Sequence, residues 1–126
     1  MVIGIGIDVV EIQRIEKAIQ TPAFLARVFT EQEQAYCEKR GRQRAASYAA
    51  RFAGKEAVLK ALGTGFSGGT WQDIEILSGK QGQPQVVLRG HFAEVAKQLK
   101  VSKVHISLTH AQLYAAAQAL LWGDTE

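Results

Sequence analysis

The sequence predicts an α+β fold: one compact domain over residues 1–126, with an antiparallel sheet packed on one long helix and several short helices. Three observations predict it. Alternating, strand-like stretches return on themselves across turn-length gaps, as at 70–88 and 104–122, which makes antiparallel hairpins. One long run without proline, through R-F-A-G-K-E-A-V-L-K at 51–60, is built of good helix formers. The helical stretches before it are short, each cut off by proline, glycine or a capping residue.

Val2–Asp8 (V-I-G-I-G-I-D) reads as the first strand. Ile3, Ile5 and Ile7 alternate with positions that include Gly4 and Gly6, and glycine inside a strand signals close approach of another backbone. The G-x-G here does not extend to G-x-G-x-x-G, so no dinucleotide fingerprint is present. Asp8 closes the apolar run, where it serves either as a helix N-cap or as a metal ligand. Ile12, Ile15 and Ile19 form the apolar stripe of a first helix, which Thr21-Pro22 breaks. Pro22 opens a second short helix through Phe24, Leu25 and Val28. Thr30 and Glu33 have capping-box spacing, so a third helix starts near Glu31 and ends by Gly41.

The long helix follows and stops at Gly63. Ala46, Ala50, Ala53, Ala57 and Ala61 recur at three- and four-residue steps and leave a stripe on which another element can lie closely. Glu56 and Lys60 share one face, and Arg51 and Lys55 share another; the plain reading of each is a surface i,i+4 contact. Beyond the glycine loop at 63–69, Thr70–Leu77 is a half-buried strand, Ser78–Pro84 a turn and Gln85–Leu88 the returning strand. His91–Leu99 is amphipathic helix, Val104–Thr109 strand, and Leu113–Trp122 the partner strand of a second hairpin.

A net charge of +3, with pI near 9.2, fits an anionic ligand or an acidic partner and is too weak a basic excess to indicate nucleic acid. The single cysteine, Cys37, excludes an internal disulfide and a cysteine-cluster metal site, and it fits a reducing cytoplasm. No stretch reaches the roughly 20 apolar residues of a membrane span, and the N-terminal run is too short for a signal peptide. There is no P-loop and no H-E-x-x-H. Cations beside the Glu56 carboxylate, next to a glycine loop, suit a phosphate with a divalent metal. Arg40, Arg42, Arg44 and Arg51 are a solvated basic face or a phosphate site. Late in the chain, His105, Ser107 and Thr109 share one strand face by parity, and His110 opposes them unless the strand has ended. For His91, His105 and His110 alike, these residues by themselves indicate a hydrogen-bonded structural histidine.

Taken together, G-I-D at 6–8, R-F-A-G-K-E-A at 51–57 with Lys60, G-T-G at 63–65 and S-L-T-H at 107–110 resemble holo-acyl-carrier-protein synthase, the small bacterial type of 4′-phosphopantetheinyl transferase. The likeness runs from Ile3 to about Trp122. It implies a 4′-phosphopantetheinyl transferase-like fold and transfer of the phosphopantetheine arm from coenzyme A to a serine of apo-acyl carrier protein, in fatty acid biosynthesis. Adenosine 3′,5′-bisphosphate would be released. Asp8 and Glu56 match the family's Mg²⁺-binding carboxylates, and Lys60 would neutralise the diphosphate or protonate the leaving phosphate. The general base would be a metal-bound water, or Glu56 acting through one. Coenzyme A would meet Arg51 and Arg42, the loop residues Gly65 and Phe66, the turn at Gly82 and Pro84, and Ser107, Thr109 and His110 of S-L-T-H. His110, near the 3′-phosphate, would then be functional, while His91 and His105 stay structural. Arg14 matches a docking arginine for the acidic carrier, with Arg27 as a second. The family also implies a homotrimer with active sites between subunits. Ala18, Ala23 and Ala111 depart from the pattern, Ala111 standing where some relatives carry an acid.

Overall fold

The computed structural model describes residues 1–124. In chain order the elements are β1 (Val2–Glu11), α1 (Ile12–Ala18), α2 (Pro22–Val28), α3 (Glu31–Glu38), α4 (Arg44–Leu62), β2 (Ile74–Ser78), β3 (Pro84–Leu88), α5 (Gly90–Gln98), β4 (Val101–His110) and β5 (Tyr114–Gly123). The fold is α+β and every strand pairing is antiparallel, in a three-stranded sheet of order β1-β5-β4 and a separate β2-β3 hairpin.

The helix α4 is the spine. Alanine keeps it slim: Ala49, Ala53 and Ala57 are fully buried, and Ala46, Ala50 and Ala61 nearly so. Gly63 ends it in a left-handed conformation at φ 75°, its N–H bonded to the Leu59 carbonyl. The three-stranded sheet lies across one side of α4. Strand β1 comes closest, because Gly4 and Gly6 face the helix. A Cβ at Gly6 would collide with the Ala57 carbonyl, and one at Gly4 with the Ala61 carbonyl. The glycine strand and the alanine stripe are therefore two halves of one contact.

Three readings of the sequence change. Strand β1 does not close at Asp8: pairing with β5 carries it on through Val9↔Ala116, Val10↔Ala115 and Glu11↔Tyr114. Asp8 is thus mid-strand and caps nothing; Glu11 precedes α1 and makes no side-chain cap bond. The stretch at 70–73 is not strand. Thr70 donates its N–H to the Asp73 carboxylate at 3.1 Å, and this local bond turns Trp71–Asp73 into a single 3₁₀ turn before β2 begins. Arg51 and Lys55 are not a surface pair, for both are buried.

Lys55 illustrates why. Its ammonium lies 2.9 Å from Glu33, with both side chains fully buried, and it also donates to the carbonyls of Trp71 and Ile74. Glu33 accepts from the Thr30 and Ile76 N–H groups, each at 2.8 Å. The capping box foreseen for α3 is present, and its glutamate also holds β2 and Lys55. Thr30 donates its hydroxyl to Glu75, which pairs with Arg89 at 2.8 Å. This dense bonding offsets the cost of burying these charges.

On the far side of the sheet, Ile5, Ile7 and Val9 are 58–61% exposed, joined by Trp122 at 47%. The register sets Ile5 beside Leu120 and Val9 beside Ala116.

Gly6→Ala should cost roughly 1–3 kcal/mol or more, since a backbone carbonyl rather than a flexible side chain stands in the way. Urea unfolding of the variant beside the parent checks this; an unchanged midpoint would contradict the close approach.

Candidate active site

Strand β1 delivers Asp8 to α4 at the level of Lys60. The Lys60 ammonium donates to Asp8 Oδ1 at 3.0 Å and to the Ile7 carbonyl at 3.0 Å. The lysine therefore pairs across 52 residues of sequence, not with Glu56 one turn away on its own helix. Asp8 Oδ2 is buried and has no hydrogen-bond partner. Glu56 is half-buried on the same side. Burial pushes its carboxyl above the ordinary range, the Asp8 carboxylate pushes it further, and Lys60 and Arg14 pull it back. Two carboxylates that repel each other, one with an unused oxygen, are a poor resting arrangement and a good one for a hard cation. Among the described residues no set of three or more His, Cys, Asp and Glu side chains gathers, so a cation here would have two protein carboxylates. Mg²⁺ is commonly held this way, with phosphate oxygens and waters completing the shell.

Glu56 and Lys60 open into a cavity of about 420 Å³ shared with Leu59, Gly63, Gly65, Phe66 and Trp71. The Phe66 ring stacks at 4.7 Å on Trp71, which also meets Phe52 at 5.2 Å. Trp71 is a lining residue the sequence did not disclose, because its place depends on the 3₁₀ turn and on Lys55 gripping its carbonyl.

The other singled-out residues gather elsewhere. Arg51, Gly82, Pro84, Thr109 and His110 line a second cavity, of about 170 Å³, with Tyr36, Arg40, Ser47 and Ser78. Arg42 and His110 share a third, of about 700 Å³, near the start of α1. Ser107 and His105 face outward with Pro84 along a groove between β3 and β4. Strand β4 runs on through His110, so His110 keeps the parity opposite Thr109. Within one chain, then, the residues do not form a single pocket. Five helix positions separate Arg51 from Glu56, a rotation of about 140°, so they leave α4 in different directions. Arg14 lies exposed on α1, close enough to the acidic pair for its charge to act on Glu56. Arg27 is exposed in the last turn of α2. Arg44 is occupied by Glu38 at 2.8 Å.

Residues 4–119 match the family model of the 4′-phosphopantetheinyl transferase superfamily. The chain is 50% identical over 117 residues to a holo-[acyl-carrier-protein] synthase of Moorella thermoacetica, covering 92% of this chain and 91% of that one. The fold superposes on the holo-[acyl-carrier-protein] synthase of Neisseria meningitidis with a TM-score of 0.87 at 28% identity, covering 97% and 99% of the two chains. It superposes on the Helicobacter pylori synthase in complex with coenzyme A with a TM-score of 0.81 at 30% identity, covering 94% and 99%. The class is thus phosphopantetheinyl transferase. Within it, the chain belongs to the holo-[acyl-carrier-protein] synthase family, enzymes that act on acyl carrier protein with coenzyme A.

Proposed function

We propose that the chain, as one domain, carries out Mg²⁺-dependent transfer of 4′-phosphopantetheine from coenzyme A to a serine hydroxyl of apo-acyl carrier protein, releasing adenosine 3′,5′-bisphosphate. One observation carries the metal part: Asp8 presents a buried, unbonded carboxylate oxygen beside Glu56 and Lys60. Asp8 and Glu56 would hold Mg²⁺, which when bound offsets the negative charge of the diphosphate. The serine oxygen attacks the β-phosphorus, and the bond to the bridging diphosphate oxygen breaks. Lys60 is half-exposed and reaches the diphosphate by swinging from Asp8, where it stabilises or protonates the leaving phosphate. Glu56, beside the metal position, is the proposed base and takes the serine proton through a water. Gly65 and Phe66 pack on the donor near this end, while Arg51, Gly82, Pro84, Thr109 and His110, with Arg42 beyond, receive its nucleotide end. Ser107, facing the outer groove, fits this assignment least well.

Two features support a homotrimer with sites between subunits. The donor-binding residues divide between separate cavities of one chain, and the outer sheet face carries Ile5, Ile7, Val9 and Trp122. Neighbouring copies would cover the apolar face and bring complementary half-sites together. The carrier is acidic, and Arg14 and Arg27 are exposed cations on the short helices, Arg14 beside the acidic pair. A cytoplasmic location completes the reading. It draws on the single, buried Cys37; among the described residues no helix is long and apolar enough to cross a membrane.

Mixed with coenzyme A, Mg²⁺ and apo-carrier, the protein should add a phosphopantetheine mass to the carrier by mass spectrometry, and EDTA should abolish the gain. Asp8→Asn and Glu56→Gln should each slow it by about a hundredfold or more, as expected when several kcal/mol of charge stabilisation is lost; Glu56→Gln at parental rate would remove Glu56 as base. Arg14→Glu should raise KM for the carrier about tenfold or more and leave KM for coenzyme A near the parent, with rising salt weakening the parent's docking; equal effects on both substrates would defeat the docking role. Light scattering should give three times the 13.8 kDa chain mass, and Ile7→Asp should lower both that mass and the activity.

A further inference from the structure

We infer that Tyr36 is a positioning residue for the anion site at Arg51, and that Arg40 supplies a second guanidinium to the same site. The inference rests on the reading of the chain as a coenzyme A-dependent transferase. Arg51 is only 4% exposed, and its Nε is buried without a hydrogen-bond partner. No ion pair among the described residues involves Arg51 or Arg40. The Arg51 guanidinium donates to Ser78 Oγ at 2.8 Å and, at the long distance of 3.4 Å, to Ser47 Oγ. These hydroxyls fix its direction but neutralise nothing. A cation this buried without a carboxylate has been prepared for an anion that arrives from outside.

Tyr36 does the rest. The Arg51 guanidinium carbon lies 4.1 Å from the centroid of its ring, and the Arg40 guanidinium carbon lies 5.6 Å from the same centroid. All three side chains line the cavity of about 170 Å³. Two guanidiniums repel each other; an aromatic ring that attracts both lets them gather at one opening before any ligand is present. The pair would hold a group with two negative charges better than a singly charged oxygen. Coenzyme A carries one phosphomonoester, on the 3′-carbon of its ribose. The proposed function assigns its diphosphate to Lys60, which lines a different cavity from Arg51. His110 and the Gly82–Pro84 turn complete the same cavity. The two guanidiniums around Tyr36 therefore select donors that carry the 3′-phosphate. Arg40 is exposed at the end of α3, so it can turn onto the ligand, and Arg51 is held still to receive it.

Steady-state kinetics with coenzyme A and with 3′-dephospho-coenzyme A test this. Tyr36→Leu and Arg40→Gln should each raise KM for coenzyme A about tenfold, the scale of one lost cation–π or charge contact. Both should leave kcat and KM for the carrier near the parent and move KM for 3′-dephospho-coenzyme A by no more than about twofold. Tyr36→Phe, which keeps the ring, should retain the parental KM. If Tyr36→Leu fails to fold, Arg40→Gln, at an exposed position, carries the test. Equal KM increases for the two donors, or no increase for either, would overturn the inference while leaving the transferase reading intact. A parent protein unable to modify the carrier with coenzyme A would instead overturn that reading.

Discussion

The contact on which the molecule depends is backbone against backbone, where Gly4 and Gly6 of β1 lie on the Ala57 and Ala61 carbonyls of α4. Any side chain at these glycines would push the strand off the helix. Because the strand is so near, Asp8 can meet the side chain of Lys60 and press on Glu56. Asp8 is thereby drawn away from water: its side chain is 15% exposed, with one oxygen buried and unbonded. A looser strand would leave Asp8 solvated and Glu56 without a like-charged neighbour. The same geometry that packs the core thus creates the electrostatic demand at the site.

A second constraint holds the other wall. Lys55, next to Glu56 in sequence, points into the protein and is caught by Glu33 and by the Trp71 and Ile74 carbonyls. Burial draws its pKa down, with Glu33 opposing. Replacing such a pair by apolar side chains is often tolerated, whereas removing one partner is costly; its value here lies in where it pins the chain. It ties α3, α4 and the turn before β2 together, and so fixes the tryptophan on which Phe66 rests. Adjacent residues of one helix therefore do opposite jobs, Lys55 inward as an anchor and Glu56 outward toward the cavity.

The split of the residues proposed to bind the donor follows from helix geometry. Arg51 and Glu56 cannot converge on one ligand from one straight helix, since about 140° of rotation separates them. A ligand that needs both must bend around α4 or bridge two copies of the chain, and the proposed trimer takes the second route. The acidic pair is crowded and keeps one unbonded Asp8 oxygen beside Lys60, and Arg51 keeps an unbonded Nε with no carboxylate partner among the described residues. In the proposed reading, these are complementary parts of one metal-linked donor site.

Local pattern alone located the helices, the two hairpins, the capping box of Thr30 and Glu33, and the end of α4 at Gly63, because each is set by residues a few positions apart. It also named both partners of the central contact, the glycines and the alanine stripe, and the motifs that identify the family. It could not say that they touch each other. Nor could it tell that Lys60 pairs with Asp8 rather than Glu56, that Lys55 is buried, or that Tyr36 gathers two arginines, since these are contacts between distant segments or choices of direction. Short-range patterning sets which elements form; which charges end up dry, paired or waiting is decided only when the strand closes on the helix and excludes water between them.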